Sequence, residues 1–221
     1  MKTTLAIFCS VIVLVSNLSS QVIPGPLLPP TDFDPCAIPE GGCTEPWGPL
    51  QTLPMTVTCG GFTCTVNVWF KTRTACLGSS IFYDLAIGWI ETDITGFQCG
   101  TCLSAIDLTD MATRALLQKT NPTIWGNTIL PDQCITTYRA QAAVCWKQAI
   151  WPFSGEFIPE QYWWISCSDG FCCVRPWQVC NRFGAYIAMP MGPPVSSGQS
   201  PECATYSSEL PDGVCYSICG S

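Results

Sequence analysis

Between Thr63 and Arg73 apolar and polar residues alternate, with Cys64, Val66, Val68 and Phe70 set against Thr65, Asn67, Trp69 and Lys71. A period of two is that of a half-buried strand, with its apolar set on one face. Gly60-Gly61 marks the turn before it, and the strand-bearing region opens at Met55. A second run, Ile81 to Trp89, places Ile81, Tyr83, Leu85, Ile87 and Trp89 on a common face, with Gly78-Ser79-Ser80 as the connection. The period then changes. From Ser104 to Thr120, Leu108, Met111, Ala112, Ala115 and Leu116 recur at helical spacing, which predicts one helix with a single apolar stripe, packed on a sheet. Ser104 and Asp107 have capping-box spacing, Asp107 and Asp110 near the start and Arg114 and Lys119 toward the end suit the helix dipole, and Asn121-Pro122 is the expected stop. From Thr136 to Lys147 helix-favouring AQAAV competes with Tyr138, Ala140, Ala142, Val144 and Trp146 at every second position, and the strand pattern is preferred.

Cysteines and aromatics are densest from Tyr162 to Gly184, around Asp169-Gly170, a sequence that predicts a stapled β-hairpin. Adjacent strand residues face opposite ways, so Cys172 and Cys173 are expected in separate disulfides, and Trp163 and Trp164 on opposite faces. Cys59 to Val66 and Cys167 to Val174 share two cysteines five positions apart across a glycine turn. With no long fixed period behind it, this echo reads as two hairpins converging on similar turn chemistry.

Residues 1–20 have the form of a secretory signal: Lys2, an apolar run from Leu5 to Val15, then small residues from Ser16 to Ser20. Residues 21–54 are crowded with proline and read as an extended arm, tied down by Cys36 and Cys43 or lying from Gln21 to Pro30 on a neighbouring subunit. A disulfide-stapled β-rich domain spans 55–189. A Pro/Gly/Ser linker and a cysteine-tied tail occupy 190–221. The expected fold class is mainly β, with sandwich-like antiparallel sheets and one helix packed on a sheet.

Composition then sets the compartment. Loss of Cys9 with the signal leaves sixteen of the seventeen cysteines, an even number that suits an oxidising exterior. Cys36, Cys43, Cys59, Cys64, Cys76, Cys99, Cys102, Cys134, Cys145, Cys167, Cys172, Cys173, Cys180, Cys203, Cys215 and Cys219 are all expected in disulfides of undetermined pairing, with local loops geometrically open to Cys36/Cys43, Cys59/Cys64 and Cys215/Cys219. Only 11% of the chain is charged, against about 25% in an ordinary soluble domain. The net charge of −7 includes Lys2. Such a surface argues against nucleic acid or an anionic membrane as partner, and no membrane insertion is expected once the signal is removed.

The chain has no histidine, which removes Ser-His-Asp, Cys-His and HExxH chemistry in their usual forms. Carboxylates remain as Glu91/Asp93 and Glu156/Glu160 beside aromatics, a weak basis for a glycosidase. Cys99-Gly-Thr-Cys102 before the helix invites a redox reading, and Cys99, Cys102, Cys172 and Cys173 a four-thiolate zinc site, but structural disulfides account for both better. No catalytic residue, cofactor or metal is expected. Of the nine tryptophans, Trp163, Trp164 and Trp177, with Arg175 beside them, form the candidate contact surface for glycan or protein. These features together point to a secreted structural or self-assembling protein, such as a matrix, surface-layer or filament subunit, with an extracellular binding module as the alternative.

Overall fold

The computed structural model describes residues 31–36, 38, 40–92, 103–124, 128–151, 161–167, 171–197, 202–203 and 214–219. β1 (Gln51–Cys59) and β2 (Phe62–Leu77) form a hairpin across Gly60 and Gly61, both in left-handed backbone as a two-residue primed turn requires. β2 pairs along β3 (Ser80–Thr92), and the far edge of β3 then serves two partners. Its Tyr83 to Ile87 stretch runs parallel to β4 (Cys134–Ala143), and its Trp89 to Thr92 stretch runs antiparallel to β6 (Gln161–Ser166). The sheet therefore forks. One branch continues from β4 through β7 (Cys172–Arg182) to β8 (Ala185–Pro190) and β9 (Val195–Ser196). The other continues from β6 through β5 (Cys145–Trp151) to β10 (Tyr216–Ser217). Among the described residues, ten strands belong to this one curled, mixed sheet, with helix α1 (Ala105–Ile124) against its inner face. The mainly β, sandwich-like expectation with one helix on a sheet holds in this form.

Gly88 is the branch point. Trp69 faces Trp89 but Phe70 faces Ile87, so Gly88 is the extra residue of a bulge. One extra residue reverses the side-chain alternation. Trp89 consequently leaves the face it was expected to share with Leu85 and Ile87, and Ile90 takes its place in the main core. That core joins Val57, Val66, Val68, Leu85, Ile90, Tyr138, Trp146, Trp164 and Trp177 of the sheet to Leu108, Ala112, Leu116 and Leu117 of α1. The strand reading of Thr136 to Lys147 is correct, with a break at Val144, whose N–H donates to the Phe171 carbonyl at 3.1 Å.

Ser104 caps α1 as its spacing predicts, accepting from the Asp107 N–H at 3.2 Å and donating to the Asp107 carboxylate at 2.6 Å. The helix runs through the expected stop at Asn121-Pro122 to Ile124, leaving no basic residue in its last turn. A proline there withholds one N–H and leaves one more carbonyl unpaired beside those that a helix C-terminus leaves open in any case.

The hairpin expected from Tyr162 to Gly184 does not form, because β6 and β7 lie in different branches and share no ladder. The tight turn is instead Phe183-Gly184, joining β7 to β8 with φ of 53° and 85°. Cys172 and Cys173 do lie in separate disulfides, to Cys36 and Cys219. Cys43 bonds Cys76, Cys134 bonds Cys180, Cys145 bonds Cys203, and Cys167 bonds Cys215. Cys59 and Cys64 are also disulfide-bonded. The local loops Cys36/Cys43 and Cys215/Cys219 are thus replaced by long-range bridges that tie both ends of the chain to the sheet.

The Pro-rich stretch is likewise less of an arm than expected. Gly41, Glu45 and Gly48 donate backbone N–H groups to the carbonyls of Cys76, Thr74 and Thr72 at 2.5, 2.9 and 2.9 Å, extending the line of β1 along β2. Pro46, Pro49 and Pro54 therefore border a sheet edge, where a missing N–H costs no ladder bond and discourages strand addition. Residues 21–30, the part expected to reach a neighbour, lie outside the described residues, as do residues 1–20, where a signal is expected.

Candidate functional site

Polar and aromatic groups concentrate on the outer face of the fork. Arg73, Asp84 and Arg139 sit in cross-strand register on β2, β3 and β4. Asp84, wholly buried, accepts from Arg73 Nε at 3.1 Å and from Arg139 Nε and Nη2 at 2.7 and 2.9 Å. Glu40 lies 2.6 Å from Arg73 Nη2, close but without hydrogen-bond alignment. Trp47 and Phe82 cover the two guanidinium groups, with ring centroids 4.3 and 4.2 Å away. Every formal charge in this row faces an opposite charge or a ring, an arrangement suited to locking three strands in register.

Next to the row is an aromatic stack. Trp69 lies on Trp89 at 5.2 Å, Trp89 on Trp163 at 6.5 Å, and Phe33 meets Trp89 edge-on at 6.0 Å. Phe33 fits only because residue 88 is glycine: a Cβ there would lie 2.3 Å from its ring. Lys71 latches the segment from below, donating to the Phe33 carbonyl at 2.7 Å and pairing with Asp32 at 2.8 Å. The Lys71 hydrogen bond, then the Phe33 N–H, holds the Asp32 carboxyl below its ordinary value of 3.8.

The candidate contact surface is therefore corrected. Trp163 and Trp164 do point to opposite faces, yet both are buried, the first in the outer stack and the second in the main core. Trp177 is buried beside α1. Both faces at these positions are covered by the chain itself, so no subunit is needed to shield them. Arg175 is half-buried. It donates to the Gly192 carbonyl at 2.6 Å, pairs with Asp110 of α1, and lies 5.7 Å from the Trp177 ring. These groups border a small pocket of about 30 Å³ between α1 and the β4–β7 branch.

The other sequence candidates are not brought together. Glu91 accepts from Trp69 Nε1 at 3.3 Å, while Asp93, Glu156 and Glu160 lie outside the described residues. Cys99 and Cys102 also lie outside them. Cys172 and Cys173, oxidised in different bridges on opposite faces, are unable to complete a four-thiolate site with them. Among the described residues, no group of three or more acidic or cysteine side chains is placed to hold a metal ion, and no helix is long and apolar enough to cross a membrane.

Two features escaped the sequence reading. The charged row had a signal, an aspartate in mid-strand among apolar neighbours, but its partners are set by the fork. The second is a run of exposed apolar side chains on β8, β9 and the Phe183 turn, whose alternation was legible only as a short apolar segment. No protein-family model, curated protein or solved structure matches the chain.

Proposed function

We propose that the chain is an exported structural protein that works as an assembled subunit of a matrix, surface layer or filament. The observation that carries this reading is the distribution of covalent ties. Six disulfides with partners 33 to 136 residues apart bind the N-terminal stretch, both sheet branches and the C-terminal tail into one network. Bridges closing loops of this length restrict the unfolded chain strongly, which suits durability outside the cell. Among the described residues, groups capable of chemistry are engaged internally: Asp84 between two arginines, Asp110 with Arg175, and the cysteines in bridges. Trp89, Trp146, Trp163, Trp164 and Trp177 lie in cores, which weakens the alternative of a tryptophan-based binding module.

Electron microscopy of the native exported material, with sedimentation of the purified mature protein, tests the proposal. Filaments, layers or closed oligomers are expected. Dispersed monomers in both measurements would overturn it.

A further inference from the structure

β8 is the outermost strand of its branch, and its side chains alternate cleanly between two environments. Tyr186 and Ala188 face the main core, while Ile187 and Met189 face outward and are exposed. The exposed line continues through Met191 to Val195, 62% exposed, and begins at the turn with Phe183, 96% exposed. Leu130 stands nearby, on a turn held to β7 by the Asp132 N–H to Asn181 carbonyl bond of 2.8 Å.

Phe183 is the telling member. Its φ of 53° is a left-handed conformation that turns of this type normally give to Asn, Asp or Gly. A bulky aromatic is held there in strained backbone with almost its whole ring in water, a combination that points to a contact elsewhere. The five side chains Phe183, Ile187, Met189, Met191 and Val195 expose on the order of 400–500 Å² together, near the upper end for the largest patch on a monomer. With Leu130, Pro176 and Pro193 at its margin the strip approaches the roughly 800 Å² that one partner buries in a stable complex.

Charge argues for the occupant. No charged residue occurs from Phe183 to Pro201, in a chain of net charge −7. Two copies repel one another generally, and this uncharged strip is a place where they can meet at low electrostatic cost. Pro190 on the outer strand withholds an N–H from the free edge, so side-chain packing is favoured over strand addition.

Resting on the assembly reading above, we propose that this strip docks a second copy of the chain about a two-fold axis near Met189. Phe183 of each copy then packs toward the Met191 to Val195 end of the other. Thioether side chains near the axis adapt readily to a self-complementary contact.

Sedimentation equilibrium of the mature protein and four variants tests this. Met189→Glu and Met189→Lys each bring like charges together at the axis, and each is expected to weaken association at least tenfold, with mixing of the two restoring it. Phe183→Asn is expected to weaken association while raising the thermal midpoint, since it relieves the turn. Thr56→Glu, on the exposed face of β1, leaves association unchanged. If the wild type associates and the Met189 and Phe183 variants do so equally well, or if Thr56→Glu is as damaging as they are, this strip is not the contact and the assembly reading stands. A wild type that stays monomeric at the highest attainable concentration removes both.

Discussion

Replacing Asp84 with asparagine tests whether the charged row on the outer face sustains the fork. The substitution keeps the shape and removes the charge. Three charge-assisted bonds converge on this carboxylate, at 3.1, 2.7 and 2.9 Å. Such bonds contribute about 1.5–3 kcal/mol each when counted singly, but asparagine retains one acceptor oxygen and Arg73 retains Glu40. The larger loss comes from leaving two mostly buried guanidinium groups without the anion between them, for which about 3–5 kcal/mol is typical. For a chain of this size each kcal/mol moves the melting midpoint by about 2–4 °C, so a fall of roughly 6–20 °C is expected. Guanidinium denaturation with the disulfides intact, followed by tryptophan fluorescence, measures the same loss independently, and the stacking of Arg73 on Trp47 provides a local reporter. A variant within about 0.5 kcal/mol of the wild type would refute the reasoning and mean that water already solvates the row.

Two further changes probe the Phe33 segment. Gly88→Ala places a methyl group 2.3 to 2.8 Å from three atoms of the Phe33 ring and must expel it. The lost edge contact with Trp89 and the lost Lys71 contact cost about 1–3 kcal/mol together, and Phe33→Ala in the same background should add little further loss, measured by a double-mutant cycle. Asp32→Asn tests the latch through pH. Because the folded carboxyl titrates below 3.8, its contribution is present above that pH and vanishes as pH falls through the lowered folded value. The stability difference between wild type and Asp32→Asn should therefore be constant from neutrality down to about 3.8 and close as the pH falls further, through the lowered folded value; a difference persisting into stronger acid would refute the latch.

Local periodicity carried the elements whose fate is decided locally. Cys64, Val66, Val68 and Phe70 are buried on one face of β2, and Ser104 caps the helix, because alternation and capping depend on near neighbours. The fork was not legible, since a single glycine insertion reverses the alternation after Ile87 without any mark in the apolar pattern. The same cause hid the fate of Trp163. Its direction followed from strand geometry, but its burial depends on Trp89 being reversed at Gly88 and on Phe33 arriving from 55 residues earlier in the chain. Disulfide pairing was equally remote: facing directions separated Cys172 from Cys173, while their partners depend on where the two chain ends are laid.

Those two adjacent bridges have a mechanical consequence. Cys36 near the beginning of the chain is bonded to Cys172, and Cys219 near its end is bonded to Cys173. A pull applied at the two termini is therefore carried through two disulfides and the single peptide unit between them. The intervening strands and helix lie off the load path. While those bridges are intact, tension can straighten the segments outside Cys36 and Cys219 but has no means of drawing the fold out between them. Reduction would reroute the same force through the whole sheet, so the protein would be nearly inextensible when oxidised and extensible when reduced.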